Sequence, residues 1–270
     1  MSSTILLSSD NSPLRALTLS RLQLDQDAPV CTIATQGEEL CVYILIGAVE
    51  MQKHSTEGDS ESYGLFGGRR RVLDAGPGMH VLRFPPGRPV TFDVHLCDFS
   101  ADILLASVPG PAIDVIPATP LGLLVHHDIW AHQVGEGTHK REVREVPTPP
   151  GYSISCGETL QQPGMISSWP PHANTEDLAK FQMSVTTWEE TFFVVAPEPG
   201  IAVLDGYYSD LTRVHEIIAL ENGHAYPMPL GSHRCHAAPD SYLYYAWFYC
   251  GNALQKQYRK YADDVGVYRK

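Results

Sequence analysis

The feature that most limits what this chain can fold into is its punctuation. Twenty-one prolines and 22 glycines are spread along 270 residues, and the apolar runs between them are short. A helical core needs longer uninterrupted periodic stretches, whereas short apolar runs closed by Gly and Pro read as the strands of an all-β sandwich or barrel. In the first half the expected strands are 30–35, 40–46, 48–53, 70–74, 79–84, 90–94 and 102–107. Gly47, Gly67-Gly68, Gly76-Pro77-Gly78 and Pro85-Pro86-Gly87 are the expected turns between them. In Cys41-Val42-Tyr43-Ile44-Leu45-Ile46 both faces are apolar, as a strand buried on two sides requires.

Pro147-Thr148-Pro149-Pro150-Gly151 separates the halves, giving expected domains 1–147 and 148–270. The second half repeats the style, with strands expected at 152–158, 164–168, 181–187, 189–196, 201–208, 213–220, 224–228, 233–238 and 242–249. Two β units in series point to duplication of one barrel type. Within the connector, Lys140 to Val146 alternates as an exposed strand. Its neighbouring His126 and His127 would face opposite ways on a strand, which argues against a shared metal. The tail allows a short helix at 252–262.

Composition narrows the partners. A hydrophobic content of 43% is that of a globular protein with a core. The net charge is −12 and the basic cluster is confined to Arg69-Arg70-Arg71, read as a solvated strand end or turn. That balance disfavours nucleic acid or an anionic membrane as partner. No apolar run is long enough to span a bilayer and the start lacks a secretion leader, so a cytoplasmic protein with six reduced cysteines is expected. A homo-oligomer is compatible with all of this.

The residues that carry chemistry lie in the second half. His172 and Asn174 are two apart, so on a strand they share a face. In Glu189-Glu190-Thr191-Phe192-Phe193-Val194, Glu190 shares its face with Phe192 and Val194. A carboxylate on such an inward face needs a partner, and a divalent metal is one. His233 follows Gly231 after a proline turn and can begin a strand with its ring inward. An imidazole–carboxylate–imidazole set with an open position is the pattern of a catalytic metal site.

These pieces resemble the cupin superfamily: Gly223-x5-Pro229-x-Gly231-x-His233 its second motif, and Gly164…His172-x-Asn174…Glu190…Gly200 its first. More narrowly, the chain resembles the inositol-catabolic 5-deoxy-glucuronate isomerase family, which are bicupins. The resemblance rests on Ser167-Ser168-Trp169-Pro170-x-His172, Glu189-Glu190-Thr191-Phe192-Phe193, Tyr208-Ser209-Asp210, Pro229-x-Gly231-x-His233 and Tyr244-Tyr245. It implies two tandem jelly-roll barrels, the first without metal. It also implies an intramolecular oxidoreductase, an aldose–ketose isomerase of a sugar acid working by an enediolate or a hydride shift. The metal would be zinc or manganese, with iron as a further option, held by His172, Glu190 and His233.

Asn174 stands where the family has its second histidine. Its amide oxygen could ligate a harder ion such as manganese, or it could stand behind a water. Cys235, Glu176, Asp177 or His236 could have stepped in, or the metal could be lost. For proton transfer the candidates by type are Glu190, Tyr244, Tyr208 and Glu189; for a substrate carboxylate, Arg213 and Arg234. The alternatives to an isomerase are a cupin dehydratase or epimerase on a related polyol or sugar acid, and a non-catalytic small-molecule-binding bicupin.

Overall fold

The computed structural model describes residues 3–54, 60–74, 81–87, 89–109, 124–126, 130–148, 152–172, 189–208 and 212–250. The chain forms two compact units. One comprises residues 1–6, 18–129 and 146–154; the other comprises 7–17, 130–145 and 155–270. The all-β expectation holds: among the described residues there are 19 strands, one 3-10 turn at Gly137–His139, and no α-helix. None of them forms a helix long and apolar enough to cross a membrane.

The first unit contains β1 (Thr4–Leu7), β2 (Thr18–Asp25), β3 (Val30–Ala34), β4 (Glu39–His54), β5 (Ser60–Arg69), β6 (Val81–Phe84), β7 (Thr91–Leu96), β8 (Ser100–Val108) and β9 (Leu124–His126). They make one sheet, ordered β1-β2-β8-β4-β6-β9, with β5 and β7 on β4 and β3 on β7. Strand β4 organises it. Its front half pairs with β6 and β8, and its back half with β5 and β7.

Gly47, expected to be a turn, is a bulge inside β4. The ladder with β8 shifts between Ile44 and Ile46, and the ladder with β5 shifts at Gly47, whose φ is +85°. A Cβ there would overlap the Ser100 carbonyl oxygen, so only glycine fits. The bulge reverses the alternation of the strand. Leu40, Val42 and Ile44 before it, and Val49 and Met51 after it, therefore reach the same apolar interior with Phe66, Phe84 and Phe92. Phe84 and Phe92 stack at 4.6 Å.

Two further expectations are corrected. Residues 70–74 are a turn, closed by Asp74 N–H to the Arg71 carbonyl (3.0 Å), and the strand lies earlier, at β5. In the arginine triplet, Arg69 is buried and its Nε donates to the Leu45 carbonyl at 2.7 Å, while Arg70 and Arg71 are exposed. Expected strand 181–187, the helix at 252–262 and His127 lie outside the described residues.

The second unit contains β10 (Trp130–Val134), β11 (Arg141–Val146), β12 (Ile154–Gln161), β13 (Ile166–His172), β14 (Glu189–Val195), β15 (Gly200–Tyr207), β16 (Arg213–Leu220), β17 (Ala225–Met228), β18 (Leu230–His236) and β19 (Leu243–Cys250). They form a six-stranded sheet, β10-β11-β12-β19-β14-β17, and a four-stranded sheet, β13-β18-β15-β16. The core joins both: Phe192, Val194, Met228 and Tyr245 from the first pack with Ala202, Leu204, Val214 and Cys235 from the second. This is a two-sheet sandwich whose inner faces meet. Strand β11 is not the exposed strand expected for 140–146, because Val143, Arg144 and Val146 are buried.

Candidate metal centre

Strand alternation places Glu190. Phe192 and Val194 belong to the core, so Glu190, two residues earlier, is on the inner face. It is opposite Tyr249 on β19 and Met228 on β17. His233 arrives from the other sheet. It lies opposite Leu204 of β15, a core residue, and two before the core residue Cys235. The two groups converge: His233 Nδ1 stands 4.0 Å from Glu190 Oε2, with side chains only 2% and 12% exposed. Phe192 packs edge-to-face against the His233 ring, centroids 5.4 Å apart.

The third residue, His172, is registered directly across from His233 in the ladder between β13 and β18. That ladder is irregular. Ser167 pairs with Cys235 and His172 with His233, so five steps along β13 match two along β18. The excess bulges out through Ser168, which holds φ +53°, uncommon for a residue with a side chain. Asn174, Glu176 and Asp177 lie outside the described residues, and among the described residues no three His, Cys, Asp or Glu side chains form a metal-holding group.

The pair does fit a divalent ion chemically. A carboxylate oxygen and an imidazole nitrogen are the donors zinc, manganese and iron accept. At 4.0 Å they do not hydrogen-bond directly, yet both look into one interior. Glu190 and His233 would hold the ion, with His172 registered beside them.

The Cys235 thiol is fully buried, and burial, with Glu190 nearby, pushes its pKa up to about 12. Behind it a donor chain runs in one direction. Tyr245 O–H donates to Ser167 Oγ (2.7 Å), Ser167 O–H to Gln161 Oε1 (2.8 Å), and Gln161 Nε2 to the Met165 and Cys235 carbonyls (2.9 and 3.2 Å). Burial raises the Tyr245 pKa, so this phenol is a fixed donor that stacks on Phe192 at 4.4 Å.

Tyr244 is not brought to Glu190. In the β14–β19 ladder it pairs with Val195, whereas the Glu190 face carries Tyr245, Trp247 and Tyr249. Its hydroxyl donates to Glu158, which Arg144 holds at 2.6 Å, and all three side chains are almost fully buried. Glu189 also faces away. Its carboxylate accepts the backbone N–H groups of Arg15, Ala16 (2.9 Å) and Leu17 (2.7 Å), a clamp on the segment 7–17. Arg234 alternates with His233 and Cys235, and Arg213 with core Val214, so both arginines lie on outer faces. His236 is likewise outward, with a pKa lowered by burial and by Arg234. The tyrosine beside Glu190 by register is Tyr249, which the doublet at 244–245 had masked in the sequence.

Known proteins place this architecture. An IolB-like protein from Salmonella typhimurium LT2 superposes with a TM-score of 0.76 at 17% identity, over 98% of this chain and 95% of that one. Oxalate decarboxylase of Bacillus subtilis gives 0.56 at 10% identity, over 90% of this chain and 70% of its own. At such identities the likeness is one of fold: two tandem cupin jelly rolls. Among curated relatives, the 5-deoxy-glucuronate isomerase of Geobacillus thermodenitrificans is 24% identical over 236 residues, 86% of this chain and 80% of the relative. That of Shouchella clausii is 27% identical over 129 residues, and the match spans about half of either chain, 47% and 46%. The pattern of the KduI/IolB family runs through residues 3–265, and the chain belongs to that family.

Proposed function

We propose that this protein is a metal-dependent sugar-acid isomerase, interconverting an aldose and a ketose of the 5-deoxy-glucuronate type. The observation that carries the reading is the meeting of Glu190 and His233 on one buried inner face, beside the backbone of His172. Membership of a family whose curated relatives are named 5-deoxy-glucuronate isomerases supplies the substrate class.

The core cluster of the first unit, among the described residues, is made of Leu, Val, Ile, Met, Phe, Ala and Cys side chains, and we place the chemistry in the second unit. Bound at Glu190, His233 and His172, a divalent ion would polarise the substrate carbonyl and its neighbouring hydroxyl. The chain's own residues then set the surroundings. Phe192 holds the His233 ring by its edge-to-face contact. Tyr245, donating to Ser167, keeps its proton and offers no base. Tyr249 is the phenol placed across from Glu190 and is our candidate for moving a proton between adjacent carbons.

The test joins metal analysis to turnover. The purified protein should carry about one divalent ion per chain, lose thermal stability on chelation, and isomerise 5-deoxy-glucuronate as followed by proton NMR. Metal without turnover would overturn the substrate and favour a dehydratase or epimerase. No metal, with stability indifferent to chelator, would sink the isomerase in favour of a binding protein.

A further inference from the structure

A sugar acid brings a carboxylate, and the arginines that sequence offered for it face outward. The structure holds another. Arg141 begins β11, one residue after the 3-10 turn. The face it occupies follows from Arg144, three residues on, whose guanidinium pairs with Glu158 beside Tyr244 on the face away from Glu190. The ladder of β11 with β10 is regular from Trp130↔Glu145 to Val134↔Arg141, so odd and even positions keep their faces. Arg141 is therefore on the opposite face, the one that Thr159 and Tyr245 share across the same sheet.

Arg141 is half-buried, and its guanidinium donates to one group, the His139 carbonyl, at 3.2 Å. Among the described residues no carboxylate pairs with it, in a chain that carries a net charge of −12. Two other arginines contrast with it: half-buried Arg21 pairs with Asp102, and buried Arg144 with Glu142 and Glu158. A partly desolvated guanidinium that keeps donors to spare is suited to fork onto an incoming carboxylate.

We propose that Arg141 is the residue that binds the substrate carboxylate, and so selects sugar acids over neutral sugars. The proposal rests on the isomerase reading for the identity of the substrate, though not for the binding itself. The 3-10 turn before Arg141 contacts β13, the strand that ends at His172, so the arginine is tethered beside a strand of the proposed metal centre.

The test uses the whole protein and two readouts. In kinetics on 5-deoxy-glucuronate, R141Q should raise KM at least tenfold with kcat within a few-fold of wild type, and R141K should lie between. In calorimetry, wild type should bind D-glucuronate more tightly than D-glucose, and R141Q should lose that preference while its glucose binding stays put. If wild type turns over the substrate and R141Q leaves both KM and the acid preference unchanged, the assignment of Arg141 fails and the isomerase reading stands. If wild type does not turn over the substrate, calorimetry decides alone. Loss of glucuronate binding in R141Q upholds the anion site, and absence of acid preference in wild type overturns it. Should R141Q fail to fold, R141K carries the test with a smaller expected effect, a KM raised less than tenfold and a weakened acid preference, and an unchanged KM and preference in R141K would overturn the assignment.

Discussion

Replacing Tyr244 with phenylalanine separates a structural hydroxyl from a catalytic one. The Tyr244 ring is completely buried, and its hydroxyl donates to Glu158, itself 1% exposed and ion-paired to Arg144 at 2.6 Å. Tyr244→Phe leaves the ring packing intact and takes one donor from a buried carboxylate. A hydrogen bond to a charged group contributes roughly 1.5–3 kcal/mol, so a loss of about 2 kcal/mol is expected. With a urea slope of about 2–3 kcal/mol/M, the unfolding midpoint should fall by about 0.7–1 M. The melting temperature should fall by roughly 4–8 °C. The assay is urea unfolding followed by far-UV circular dichroism, alongside turnover of 5-deoxy-glucuronate at a temperature where both proteins are folded. Turnover should hold within a few-fold, because Tyr244 and Glu190 are on opposite faces of one ladder. A catalytic proton shuttle would behave in reverse, losing about 10²–10⁴-fold in rate with stability unchanged. That result would refute the face assignment on which the whole site depends.

Three more outcomes follow from the same packing. Glu189→Ala should cost about 3–5 kcal/mol in urea unfolding, because three backbone N–H groups lose one acceptor, while Glu189→Gln should recover part of it; an equal loss in both would show that the clamp depends on charge alone. Gly157→Ala should destabilise by about 1–3 kcal/mol or more, since the new methyl would overlap Trp247 Cζ2 and sit 2.5 Å from the Arg144 carbonyl oxygen, a backbone atom that cannot rotate away; a wild-type melting temperature would contradict the packing. Of the six free cysteines only Cys97 is exposed, so Ellman's reagent at pH 8 should titrate one thiol quickly in the native protein and six in urea. Cys235, whose pKa burial lifts to about 12, should be among the slow ones, and its rapid reaction would mean that the barrel interior is open.

What could be read from the chain was whatever repeats within a single strand. Gly and Pro spacing marked an all-β protein of two units. The alternation in Glu189 to Val194 was enough to separate an inward Glu190 from an outward Glu189, because side chains on a strand change face at every residue. What stayed hidden was whatever depends on a partner strand. The bulge at Gly47 turned two expected strands into one, and its necessity comes from the Ser100 carbonyl lying against it, 53 residues away in sequence. Tyr244 and Tyr245 looked equivalent until register put one on Glu158 and the other on Ser167. Arg141 sat in a segment that read as exposed, while Arg213 and Arg234, beside the recognised motif, face outward. Local periodicity states that neighbours differ in face. It does not state which face is inside, and that is decided by hydrogen-bonded register between strands distant in the chain.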